Sequence, residues 1–146
     1  MNNRILELIN KYEHTGDFTH ATVTDEMINT AQQMLNVTLP EQYISFLQLF
    51  GHGGIGGIET IGVGITGRLI FADTTMDYRE ENLPDNLIVI ENVDEWLNCL
   101  DCNTGKVVSW DLNGDIKEDY DCFDDYLIDR DRFKFCVNSK NRYKIC

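Results

Sequence analysis

The sequence predicts an α+β fold: a mainly antiparallel sheet of about six strands, packed with N-terminal helices and a C-terminal helix. Three observations predict it. Apolar side chains recur at helical spacing up to Phe50, and from Ile58 the pattern changes to short β-type runs. Asn113-Gly114, flanked by two such runs, is the strongest hairpin signal in the chain. Helices followed by strands indicate a segregated rather than an alternating α/β architecture.

Residues 4–12 read as a short amphipathic helix through Ile5, Leu8, Ile9 and Tyr12, with Gly16-Asp17 marking its end. Thr24 is a good N-cap for a second helix, and Asp25 and Glu26 lie in its first turn, where the macrodipole favours acids. Met27, Ile28, Ala31, Met34 and Leu35 form its apolar stripe, and Asn36 is its stop. Pro40 announces a third helix, because its fixed φ and missing N–H suit a first helical position. Tyr43, Phe46, Leu47 and Phe50 follow on one face, and Gly51 ends the run. Strands are predicted at 58–63, 68–72, 87–91, 96–101, 106–111 and 115–119, and a last helix at 122–128 buries Phe123, Tyr126 and Leu127. Trp110, inside a strand, is predicted to be core, and Trp96, after Asp94-Glu95, to be partly exposed. No repeat, linker or boundary interrupts the chain, so residues 1–146 are read as one domain.

Composition narrows the function classes. No apolar run reaches the ~18–20 residues of a membrane span, and no secretory pattern opens the chain. The five cysteines, Cys99, Cys102, Cys122, Cys136 and Cys146, are an odd count, best read as structural thiols in the cytoplasm. The net charge is −13, and between Tyr12 and Gly105 fifteen acids face only Arg68 and Arg79. The last fourteen residues reverse the sign, with Lys134, Lys140, Arg142 and Lys144 and no acid. Such a protein repels nucleic acid and anionic membranes and attracts basic surfaces.

The chemical motifs are weak. Two G-x-G-x-x-G strings occur, Gly51/Gly53/Gly56 and Gly62/Gly64/Gly67, but the first follows a helix and the second leads into a predicted strand. A dinucleotide site needs the reverse order, so a mobile loop beside a sheet edge is the better reading. Cys99 and Cys102 form a C-x-x-C whose members point to opposite faces if they share a strand. Asp111, Asn113 and Asp115 imitate the start of a calcium loop, but Ile116 and Cys122 stand where glycine and glutamate are needed. Of His14, His20 and His52, only His52, set among glycines, could join a cysteine in a nucleophilic pair, and no spacing asks for it. No catalytic residue, cofactor or metal is assigned.

One segment is more specific. Thr24-Asp25-Glu26-Met27-Ile28, Ala31 and Leu35, then Leu39-Pro40-Glu41-Gln42-Tyr43-Ile44-Ser45-Phe46-Leu47 and Gly51, resemble the signature of the SUKH superfamily. Its members share a helix, a Leu-Pro, and a second helix with an aromatic and a Phe-Leu pair before glycine. Leu83-Pro84, Leu100-Asp101, Val107, Trp110 and the stretch from Phe123 to Leu127 extend the likeness over about residues 22–130. The chain departs from the pattern at Phe50-Gly51, where the family often has Asn-Gly, and at Gln32 or Gln33, where a glutamate is expected.

The resemblance implies an α+β protein of a group whose bacterial members commonly act as immunity proteins. These bind and neutralise a toxin domain, often a nuclease, and the acid excess agrees with a basic partner. A regulatory or adaptor domain without a toxin is the alternative, and a small hydrolase the third reading. Contacts with a toxin are expected from acidic loops: Asp73, Asp77, Tyr78, Glu80, Glu81 and Asp85, together with Glu91, Asp94, Glu95 and Trp96. Tyr78 and Trp96 are the candidate aromatic anchors.

Overall fold

A computed structural model describes residues 1–135, with side chains through Asp131. Cys136, Cys146 and the basic residues beyond Arg130 therefore lie outside the described side chains. Three helices open the chain: α1 (Asn3–Tyr12), α2 (Asp25–Leu35) and α3 (Glu41–Phe50). Thr24 caps α2 by accepting the Met27 N–H at 3.2 Å, and Asn36 ends it in the left-handed conformation at φ 55°. The α3 stripe is buried as its spacing requires, with Tyr43, Phe46, Leu47 and Phe50 inside. Tyr43 meets Phe71 and Phe123 edge-on, and its hydroxyl donates to the Ile61 carbonyl at 2.7 Å.

The sheet has four strands rather than six, in the order β1 (Leu87–Asn92), β2 (Leu97–Asp101), β3 (Val107–Trp110) and β4 (Ile116–Tyr120), all antiparallel. Residues 68–72, expected as a strand, instead open helix α4 (Ile70–Arg79). A short apolar run such as Leu69 to Ala72 does not distinguish the two by itself. Phe71, Thr75 and Tyr78 at i, i+4 and i+7 form the inward stripe, interrupted by the acids Asp73 and Asp77. Residues 58–63, also expected as a strand, make only isolated bridges, Gly53 to Thr60 and Val63 to Leu69. The final helix α5 (Phe123–Phe135) is longer than the sequence predicted.

The glycine-rich stretch is packed in part, while Gly56, Gly57 and Ile65 are exposed. Gly51, Gly53, Gly54 and Gly62 are all buried. Val63 donates to the Gly51 carbonyl at 2.8 Å, and a Cβ on Gly62 would fall onto that carbonyl oxygen. Absence of a side chain is what lets these backbones meet. His52 belongs to the same packing: its Nδ1 accepts the Gly62 N–H at 2.9 Å, so the neutral ring carries its proton on Nε2, facing Glu59. Burial lowers its pKa and the nearby Glu59 carboxylate partly opposes this.

Two irregularities set which residues face which layer. Val89 pairs with Cys99 but Glu91 pairs with Asn98, leaving Ile90 as an extra residue in β1. The bulge presents the Ile90 carbonyl to the Ile61 N–H at 2.7 Å and turns Glu91 to the face opposite Val89. One face of the sheet thus carries Leu97, Cys99 and Trp110 toward α4, and the other carries Asn98, Glu91 and Tyr120 toward α5. Among the described residues, no helix is long and apolar enough to cross a membrane.

Candidate functional site

The acidic residues expected to contact a partner separate into five places. Asp73, in the first turn of α4, pairs with Arg68 at 3.0 Å. Asp77, Glu80 and Glu81 lie exposed along the C-terminal half of α4 and the turn after it, so much of the expected acidic loop is helix. Asp85 borders an open groove of about 880 Å³ between α2 and the start of β1, together with Asn29, Gln32, Asn36, Asn86 and Cys102. The Asp85 carbonyl accepts from Arg79 at 2.8 Å.

Glu91 is not a surface residue. It is 5% exposed and accepts from Asn98 and from the Tyr126 hydroxyl, each at 2.9 Å. Arg130 closes the network with a two-pronged pair, Nε to Oε1 at 3.1 Å and Nη2 to Oε2 at 2.6 Å. Thr60 continues it to the Tyr126 hydroxyl at 3.2 Å. This carboxylate holds the sheet to α5 and is removed from the set of contact residues.

The remaining candidates converge. Tyr78 of α4, Asp94 and Glu95 of the β1–β2 turn, and Trp96 at the start of β2 line one cavity of about 190 Å³. Antiparallel register brings the β3–β4 hairpin to the same place, since Leu97 lies opposite Trp110. Trp110, Asp111, Leu112 and Asn113 therefore complete the wall. Trp110 is 2% exposed and Trp96 41%, as the sequence predicts for each. Tyr78 meets Trp110 edge-on, with centroids 6.3 Å apart and planes at 75°.

Turn chemistry fixes the acids. Asp94 adopts φ 71° and its N–H donates to the Asn92 side chain at 2.8 Å, while Val93 donates to the Trp96 carbonyl at 3.0 Å. The Asp111 side chain accepts from the backbone N–H groups of Asn113 and Asp115 at 2.9 and 3.2 Å, which closes the hairpin. Among the described residues, no lysine, arginine or histidine lines the cavity, and Asp94 and Glu95 have no ion-pair partner. The hairpin side of the wall was missed in the sequence. The signal was present in Asn103-Thr104-Gly105, the turn that pairs β2 with β3 and sets Trp110 opposite Leu97, next to Trp96.

The two thiols of the C-x-x-C are held protonated by burial. Cys102 borders the larger groove, but burial first and the Asp101 charge next push its thiol up to about 12. Cys99 is likewise raised to about 12 by burial. Thiols so held are protonated at neutral pH and are poor nucleophiles and poor metal ligands.

Residues 2–134 match the SUKH_5 family, described as SMI1-KNR4 cell-wall. The chain belongs to that SUKH family. The fold agrees: a crystal structure of a protein from Pseudomonas syringae pv. tomato superposes with a TM-score of 0.70. It is 14% identical, and the alignment covers 89% of this chain and 96% of that one. The SUKH features quoted from the sequence take core positions here: Leu39, Tyr43, Phe46, Leu47, Trp110, Phe123 and Leu127 are all buried. Family membership is thus written in the packing, and of these core residues Trp110 also lines the cavity.

Proposed function

We propose that this protein is a cytoplasmic immunity protein that binds a cognate toxin domain of nuclease type and neutralises it by covering its basic active face. SUKH membership supports the class of protein, and the net charge of −13 supports the sign of the partner. The observation that carries the reading is the convergence of Tyr78 and Trp96 with Asp94 and Glu95 on one surface cavity. A nuclease must attract phosphate, so its active face is basic, and carboxylates can occupy that face in place of phosphate. Exposed aromatic side chains supply the desolvated anchors that dominate interface energies. The contact is with protein, not with nucleic acid, since a chain of this charge is repelled by phosphate.

The test is purification of the tagged protein from its native cell and identification of what comes with it. The expected result is one stoichiometric basic toxin domain whose nuclease activity is abolished by adding the pure protein. Recovery of several partners, none of them a toxin, would instead establish the adaptor role and overturn the proposal.

A further inference from the structure

The cavity between α4, the β1–β2 turn and the β3–β4 hairpin is specific enough to name what enters it. We propose that it is a receptor for a single arginine side chain of the partner protein. This deepens the immunity reading and rests on it for the partner, though not for the chemistry of the cavity.

Size comes first. At about 190 Å³ the cavity is smaller than the roughly 300–1,000 Å³ typical of cofactor and small-molecule sites, so it suits one side chain. Its walls come next. Tyr78, Trp96 and Trp110 contribute three aromatic rings, two of them held edge-to-face by packing. A cation within about 6 Å of such a ring is attracted by its quadrupole, most strongly over tryptophan and when desolvated. Asp94, Glu95 and Asp111 add acidic residues to the lining, with no basic residue among the described ones, although one Asp111 oxygen already closes the hairpin turn.

Aromatic walls with an acidic rim select a cation that is also planar and apolar on its faces. The guanidinium meets that description: it stacks on rings, is weakly hydrated for a cation, and offers a fork of donors to carboxylates. An ammonium is a strongly hydrated point charge and gains less from the walls. Leu112, 68% exposed, gives the arginine stem an apolar surface beside the entrance. Trp110 links the site to the fold, because the ring that lines the cavity is also buried between β3 and α4. That wall, Trp110 with the Tyr78 ring packed on it, is therefore preorganised.

The test needs no toxin. The chain has two tryptophans, so its spectrum contains two indole N–H signals, assigned with a Trp96→Phe variant. The whole protein is titrated with the capped peptides Ac-Gly-Arg-Gly-NH2, Ac-Gly-Lys-Gly-NH2 and the neutral citrulline analogue. Expected is a saturable millimolar shift of the Trp96 indole signal with the arginine peptide, at least threefold weaker binding of lysine, and no saturation with citrulline. Asp94→Asn with Glu95→Gln should weaken the arginine peptide about tenfold while leaving the folded spectrum intact. Equal binding of lysine or citrulline, or no saturable shift, overturns the arginine receptor. Arginine binding that survives while no toxin is ever captured would sink the immunity reading alone.

Discussion

Glu91 and Arg130 meet side-on, Nε and Nη2 each donating to one carboxylate oxygen, and the pair exists because a single extra residue in β1 rotates Glu91 to the α5 face. Without that bulge the side chain would share the Val89 face with α4 and never reach the α5 guanidinium. Asn98 and Tyr126 satisfy the same carboxylate from β2 and α5, so one buried acid ties three elements.

Removing that acid leaves the Asn98, Tyr126 and Arg130 donors without their acceptor. Glu91→Ala is expected to destabilise the protein by about 3 kcal/mol, the low end for a broken buried pair, because Arg130 can turn partly to water. Urea unfolding checks it: the midpoint should fall while the slope stays constant. A loss under about 1 kcal/mol would mean that the network adds little beyond solvation.

Asp131 should make stability fall as pH rises. Burial pushes its carboxyl up to about 7, with the Ile55 N–H acting in the opposite direction. An unfolded aspartate titrates near ~3.9, so the folded state holds a proton that the unfolded state has released. The contribution is complete below about pH 4 and is lost as pH rises through about 7. Asp131→Asn should therefore match the wild type at pH 4 and exceed it by roughly 2–4 kcal/mol at pH 8. Urea midpoints of both proteins at pH 4, 6 and 8 test this, and a constant gap between them would refute the assignment.

The two tryptophans should separate cleanly. Trp110→Ala empties a packed site and should cost about 3–5 kcal/mol. Trp96, 41% exposed, should cost under about 1 kcal/mol when replaced by alanine. Thermal and urea unfolding of both variants provide the comparison, and equal losses would contradict the placement of one ring in the core and the other on the surface.

How far the sequence can be read follows from these same residues. The stripes of α1, α2 and α3 follow helical spacing, except that Met34, expected in the α2 stripe, is 42% exposed because Ile28, Ala31 and Leu35 set the buried face. Thr24 and Asn36 mark real ends, so that half of the fold was legible. Helix α4 was not, because Ile70-Phe71-Ala72 looks like a strand until Thr75 and Tyr78 are seen to continue the stripe. Glu91 was misassigned for a different reason. Strand β1 is buried on both faces, with Leu87 through Glu91 all inside, so an acid ending that run is covered whichever way the bulge turns it. Tyr78, Asp94, Glu95 and Trp96 were named from composition and local order alone. Their meeting in one cavity, and the contribution of Trp110 and Asp111 to it, depends on strand register and on the α4 packing angle.

The central claim, an acidic face that steers binding and aromatic anchors that hold it, is tested most directly by association and dissociation rates against the captured toxin domain at several salt concentrations. Exposed charges are screened beyond about 8 Å at physiological salt, so the on-rate should fall by one or more orders of magnitude as salt rises. Neutralising Asp77, Glu80 and Glu81 together should lower the on-rate in the same way, with the off-rate little changed. Trp96→Ala should instead raise the off-rate, by the ~2 kcal/mol or more of a central hot spot. An on-rate indifferent to both salt and the triple neutralisation, with an off-rate indifferent to Trp96, would contradict the account.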